Sequence, residues 1–295
     1  MGRSPIRHFD PWHFEGVEQD MDYKTVMVSL ALDRPNNACL AVAGDLAERF
    51  GARVIGVAAS DLRPPMYFAD GGPAQKLLDA EAAAVQSRLS ELETEFRASI
   101  EKRAKSIEWR SARGLQVPYV LQQARIADVL VVGARSEAIV DPCAAADPGD
   151  LVMQSGRPVI VVPPAVEWFD FRSVLVAWKD VREARRAVFD ALPILAAAKD
   201  VTIVEIAEQG TDRADALSHV ADVASWLQGH GIMASTFIPD SGAGIPEQLD
   251  RIAADVGAGA VIAGAYGHSR LSEWILGGVT RQLIDPSHRC SVLSH

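Results

Sequence analysis

Near the carboxyl end of the chain, Gly264, Gly267, Gly277, Gly278 and Thr280 have the residue types and spacing to hold an anion. The apolar run Ala260-Val261-Ile262-Ala263 ends at Gly264 and reads as a buried strand of a parallel sheet. Gly264 and Gly267 bracket a polar turn, and His268 follows it. From Leu271, apolar residues recur at Trp274, Ile275, Val279 and Leu283, the period of a helix. A strand, a glycine turn and a helix start can together aim backbone N–H groups at a phosphate. Gly277 and Gly278 would let a ligand approach the main chain leading into Val279, and Thr280 supplies a hydroxyl. The same glycines would equally serve turn geometry and close helix–strand packing. Residue types alone leave both readings open.

The elements that must position these residues come from two passes through one pattern. From Thr25 the chain reads VMVSLAL, a helix over 36–50, then ARVIGVAA, which is one βαβ unit. Pro64-Pro65 and Gly71-Gly72-Pro73 punctuate a loop. A long helix follows, with Leu77, Leu78, Val85, Leu89, Leu92, Phe96 and Ile100 on one stripe. A strand over 107–112, a helix over 118–127 and the strand Val129-Leu130-Val131-Val132 come next. Gly156-Arg157-Pro158 then leads into the strand VIVV, which ends at Pro163-Pro164. The pattern restarts at Ser173-Val174-Leu175-Val176-Ala177-Trp178, with helices expected over 182–198, 212–228 and 246–255. Strands are expected over 201–207, 233–238, around Val261 and over 290–293. This alternation predicts an α/β chain of two tandem doubly wound parallel-sheet domains with helices on both faces. The expected division is a loosely ordered arm over 1–22, a first domain over 23–164 and a second over 165–295. The stretch 163–170 serves as linker.

The stretch from Gly264 resembles the nucleotide-binding members of the universal stress protein family. They carry glycine, two residues, glycine, nine residues, then glycine with serine or threonine. Gly264, Ala265-Tyr266, Gly267, the nine residues 268–276 and Gly277 reproduce the glycine spacing. Gly278 stands where the hydroxyl residue is expected, and Thr280 lies where the family often has another. The resemblance covers nearly the whole chain after about residue 23. It implies Rossmann-like five-stranded domains with strand order 3-2-1-4-5, packed through their final strands. It also implies ATP or a related adenine nucleotide in the second half, with no metal beyond the magnesium that accompanies the nucleotide.

With that order, the ligand crevice falls between the first and fourth strands of each half. In the second half, Ala177, Trp178, Lys179 and Asp180 would face Gly264, Tyr266, Gly267 and His268. Lys179 can neutralise a phosphate as a point charge, or form a solvated turn with Asp180. Trp178 can stack on a base or fill the pocket. Nucleotide-binding members place an aspartate early in this loop; here Trp178-Lys179 stand there, with Asp180 displaced by a residue. The expected nucleotide set is therefore Ala177, Trp178, Lys179, Gly264, Gly267, His268, Gly277, Gly278, Val279 and Thr280. In the first half, Gly133-Ala134-Arg135-Ser136 lacks the glycine pattern, and Asp141, Asp147 and Asp150 follow. Carboxylates repel phosphate, and Asp147 and Asp150 read as capping residues ahead of Leu151. The first copy is expected to have lost its site.

Composition narrows the partners. Hydrophobic residues make up 48% and charged residues 23%, a globular balance, with formal net charge −10 and pI near 5.2. An acidic chain gains no attraction to nucleic acid or anionic membranes. No apolar run reaches the length of a membrane span, and residues 1–22 lack a signal-peptide core. Cys39, Cys143 and Cys290 form no ligand-spaced cluster, so no metal site is expected and a reduced, cytoplasmic setting fits. A homodimer is compatible with the sequence, and no protein partner is specified by it.

Two stretches bear on catalysis. Gly267-His268-Ser269-Arg270-Leu271 nearly matches the G-x-S-x-G elbow of serine hydrolases, with Asp285 and His288 following in chain order. Leu271 replaces the last glycine, and only one strand remains to carry the partners. The phosphate loop of ATP-cleaving α-hydrolases is absent from both SLALDR and AWKDVR. A single histidine, His268, is more often a polar cap than an acid or base. The expectation is a non-catalytic stress-response module, at most a weak ATP hydrolase. The alternative is a nucleotide-free interaction scaffold.

Overall fold

The computed structural model describes residues 22–61, 71–135, 141–206, 212–239, 244–265, 278–285 and 287–295. The first half runs β1 (Thr25–Ser29), α1 (Asn37–Phe50), β2 (Arg53–Ser60), α2 (Gly71–Ile100) and β3 (Ile107–Arg113). It continues with α3 (Gln116–Gln123), β4 (Val129–Gly133), α4 (Pro148–Gln154) and β5 (Val159–Val162). The second half runs β6 (Ser173–Trp178), α5 (Arg182–Asp190), α6 (Leu192–Ala197), β7 (Asp200–Glu205) and α7 (Arg213–Gly229). It closes with β8 (Ala234–Phe237), α8 (Ile245–Asp255), β9 (Ala260–Gly264), α9 (Gly278–Ile284) and β10 (Cys290–Ser294).

The ten strands form one sheet in the order β3-β2-β1-β4-β5-β10-β9-β6-β7-β8. Each half therefore has its strands in the order 3-2-1-4-5, and the two five-stranded domains meet at their last strands. Val159, Ile160 and Val161 pair antiparallel with Leu293, Val292 and Ser291. Every other strand pairing among the described residues is parallel.

The apolar runs are continuous because both faces of the strands are covered. Along β1, Val26 and Val28 join one core layer while Met27 joins the other. The first layer packs α1, α2, α5, α6 and α7, and the second packs α3, α4, α8 and α9. Side chains also tie the halves together. The Tyr23 hydroxyl donates to the Asp190 carbonyl at 2.7 Å, and Asp45 Oδ2 accepts from the Phe169 amide at 2.6 Å.

Several boundaries depart from the expectation. The helix expected over 182–198 is two, α5 and α6, broken at Ala191. Pro193 sits in the first turn of α6, where its missing N–H costs nothing; inside a longer helix it would remove a hydrogen bond. Helix α2 starts at Gly71, so Gly71-Gly72-Pro73 opens a helix instead of punctuating a loop. Proline at an early helical position fits that start. Helix α3 begins at Gln116 and passes into a 3-10 turn over Ala124–Ile126. The expected arm lies outside the described residues except for Asp22.

Candidate functional site

The strand order of the second half reverses between β6 and β9, which run side by side with Ala177 opposite Ala263. A cavity of about 400 Å³ lies over their carboxyl ends. That volume is within the range of small-molecule sites. Ala177, Trp178 and Lys179 contribute from the end of β6, Gly264 from the end of β9, and Gly278, Val279 and Thr280 from the start of α9. Seven of the residues expected from the sequence thus share one cavity. Gly267, His268 and Gly277, together with Ser269 of the hydrolase reading, lie outside the described residues.

The remaining wall is apolar: Val204 of β7 and Ile206 just after it, Ile245, Pro246 and Leu249 of α8, with Val181 and Ala184 at the start of α5. Sequence reasoning missed these residues because none carries chemistry. The signal available was topological, since β7 is the neighbour of β6 in an order 3-2-1-4-5.

Gly264 serves packing as well as the cavity. A Cβ built there would stand 2.4 Å from the Ala184 nitrogen and 2.5 Å from the Glu183 carbonyl carbon, so α5 rests against bare backbone. Gly278 is different, for among the described residues its Cβ would meet only Pro246 Cγ, at 3.4 Å. Thr280 is buried, while Lys179 is exposed at the mouth. The amide of Ala265 is already committed, donating to the Ser294 carbonyl at 2.9 Å.

Trp178 is buried in the layer of Ala184, Val188 and Val223, whereas Ala177, Val204 and Val279 belong to the opposite layer. Successive strand residues point to opposite faces, so the indole packs on the α5–α7 side. Asp180, expected in the crevice, is absent from its lining. Its carboxylate accepts from Arg185 at 2.5 Å and borders a second cavity. Next to Trp178 across the β6–β7 ladder, Glu205 is buried and meets His219 Nδ1 at 3.3 Å. Burial raises the Glu205 pKa, partly opposed by its hydrogen bond to His219.

In the first half, a buried side chain bridges the ends of β1 and β2. Gln116 is fully buried; its amide donates to the Leu30 carbonyl at 2.6 Å, and its side-chain oxygen accepts from the Ala59 amide. The loop before α4 closes over it, with Leu32 N donating to the Ala144 carbonyl at 2.7 Å and Ala144, Ala145 and Ala146 buried. Asp147 caps α4 through the amides of Gly149 and Asp150 and also pairs with Arg135, at 3.0 and 3.1 Å. Asp150 lies in the first turn of that helix and is not its cap. Elsewhere, Asp285 pairs with Arg281 at 3.7 Å, and His288 borders a hollow beside Trp168 and Asp170. Among the described residues no group of three His, Cys, Asp or Glu side chains is placed to hold a metal. None of the described helices is long and apolar enough to cross a membrane.

The architecture is that of the universal stress proteins, in two tandem copies. A universal stress protein from Archaeoglobus fulgidus matches with TM-score 0.67 at 17% identity, over 92% of this chain and 95% of that one. A functionally uncharacterised protein from Pseudomonas aeruginosa matches with TM-score 0.59 at 15% identity, over 94% of each chain. A provisionally assigned universal stress protein from Pseudomonas aeruginosa matches with TM-score 0.59 at 14% identity, again over 94% of each. No family model and no curated protein matches the sequence.

Proposed function

We propose that this chain is a tandem universal stress protein, a non-catalytic regulatory or protective module of the cytoplasm. Its domains divide near residues 163–170, and only the second holds ATP or a related adenine nucleotide. The observation that carries this reading is the cavity over the carboxyl ends of β6 and β9, lined by Ala177, Lys179, Gly264, Gly278, Val279 and Thr280. The site is concave, has apolar walls for a base and sugar, and holds few polar groups, as small-molecule sites do. The main chain at Gly278 and Val279 with the Thr280 hydroxyl would hold phosphate, Lys179 would neutralise it, and magnesium would arrive with the nucleotide. The burial of Gln116 across the ends of β1 and β2, and of Ala144–Ala146 nearby, supports one site per chain.

A second reading, a nucleotide-free interaction scaffold, draws on two observations. Gly264 has a packing duty that explains it without a ligand, and Gly278 lacks the expected hydroxyl. Calorimetry with ATP and magnesium separates the two. The nucleotide reading expects one site per chain, weakened roughly three- to tenfold in Lys179→Ala by loss of a charge-assisted contact. Absence of heat at millimolar ATP would leave the scaffold.

A further inference from the structure

The two outer strands of the sheet are built differently. β3 ends it on one side and carries Glu108, Arg110 and Arg113. Charges of this kind blunt a free edge against pairing with another chain. β8 ends the sheet on the other side with Ala234-Ser235-Thr236-Phe237, preceded by Met233, and none of these five residues is charged. Among the described residues no strand lies beyond β8. An edge strand presents its outer row of N–H and C=O groups as a template for a further strand.

The side chains of this edge sort by face. Thr202 in β7 and Ser235 opposite it hold their hydroxyls 3.1 Å apart, so the two share a face. Val201 and Ile203, the neighbours of Thr202, belong to the layer packed by α5, α6 and α7, and Ala234 packs against that layer too. Alternation therefore turns Met233, Ser235 and Phe237 to the opposite face. There Met233 is 73% exposed and Phe237 47% exposed. The order of these residues is self-complementary. In an antiparallel pair symmetric about Ser235, Met233 of each copy stands opposite Phe237 of the other, and Ala234 stands opposite Thr236. Such cross-strand apolar pairs are the units that stabilise a sheet, and no like charges meet in this register.

We propose that β8 is the docking edge for a second copy of this chain, which joins the two ten-stranded sheets antiparallel about Ser235. The same patch serves both partners, so the contact closes at a dimer. The charged β3 at the far side keeps the sheet from growing further. A contact of so few residues falls in the small class below about 1,200 Å², so association is weak, with a dissociation constant of about 100 μM. This edge is separate from the crevice, so the proposal and the nucleotide reading can fail independently.

The test is sedimentation equilibrium of the full chain from about 10 μM to about 1 mM, where monomer is expected to pass into dimer. Ser235→Lys sets two like charges opposite each other and should weaken association about tenfold or more. The matched change on the other edge, Ser111→Lys, should leave it unaltered. Met233→Lys and Phe237→Glu should each weaken association about tenfold. Combined in one chain they should restore it, because the register sets position 233 opposite position 237 of the second copy and the new charges attract. Within one chain, four strand residues hold these two side chains about 13 Å apart. An NOE between the Met233 methyl and the Phe237 ring at high concentration therefore reports the second copy. A monomer at about 1 mM, which would leave the edge to a different chain, would overturn the proposal. So would equal association of Ser235→Lys and the parent, or a double variant no better than either single one.

Discussion

Gly264 lies so close to Ala184 that a Cβ at position 264 would stand 2.4 Å from the Ala184 nitrogen. Real Cβ atoms do not approach backbone this closely, so α5 or β9 must move to admit any side chain. Gly264→Ala is therefore expected to destabilise the protein by about 1–3 kcal/mol, the cost of overpacking a dense core. Urea unfolding followed by circular dichroism measures this, and an unchanged midpoint would show that the helix is not seated on the strand end.

Gly278 makes the opposite case. Among the described residues the nearest atom to a Cβ there is Pro246 Cγ at 3.4 Å, an ordinary contact. Gly278→Ser should change stability by less than about 1 kcal/mol. On the nucleotide reading it should also tighten ATP binding, since it restores the hydroxyl that the glycine spacing leads one to expect. Calorimetry on the variant checks both parts, and weaker binding would count against phosphate contact at this turn.

Gln116, the first residue of α3, bridges the carbonyl of Leu30 just after β1 and the amide of Ala59 in β2. Gln116→Leu keeps much of the volume but strands the Leu30 carbonyl and the Ala59 amide. The expected loss is about 2–6 kcal/mol, from about 1–3 kcal/mol for each of the two groups left unsatisfied. The measurement is again equilibrium unfolding. A loss below about 1 kcal/mol would mean that water or a neighbour replaces the amide.

Glu205 gives a pH signature. Burial raises its folded-state pKa above the ordinary 4.5, and the groups around it are His219, Lys179 and Asp180. A raised carboxyl pKa means that the folded state holds the proton more tightly. Its contribution to stability is complete below the unfolded pKa and is lost as pH rises through the folded one. Carbon-13 carboxyl titration should place the Glu205 midpoint above 4.5. The stability of Glu205→Gln relative to the parent should rise over the same interval. A midpoint at or below the ordinary value would refute the burial argument.

Much of the fold can be read from residue pattern because nearly every strand is covered on both faces. Runs such as Val129–Val132 and Val159–Val162 are apolar at each position, and the helices between them repeat near 3.6 residues. The strand order came from the resemblance carried by Gly264, Gly267 and Gly277, since alternation alone does not order strands. The break at Ala191–Pro193 was overridden by a composition that favours helix on both sides. Ala177, Lys179 and Gly264 could be placed at one crevice because they fall at or just after strand ends, and Thr280 because it follows the glycine pair. The pairing of Asp180 with Arg185, the bridge that Gln116 makes between the ends of β1 and β2 and the aromatic cavity between α5 and α7 were not. Each depends on side chains far apart in sequence, and no local spacing encodes such meetings.

The account rests most heavily on one occupied crevice in a two-copy chain. The direct measurement is a methyl-resolved NMR titration of the full chain with ATP and magnesium. Signals from Ala177, Val279 and Thr280 are expected to shift and saturate together, while those of Leu30 and Ala144 stay still. Movement confined to the first half, or no movement anywhere at millimolar nucleotide, would contradict it.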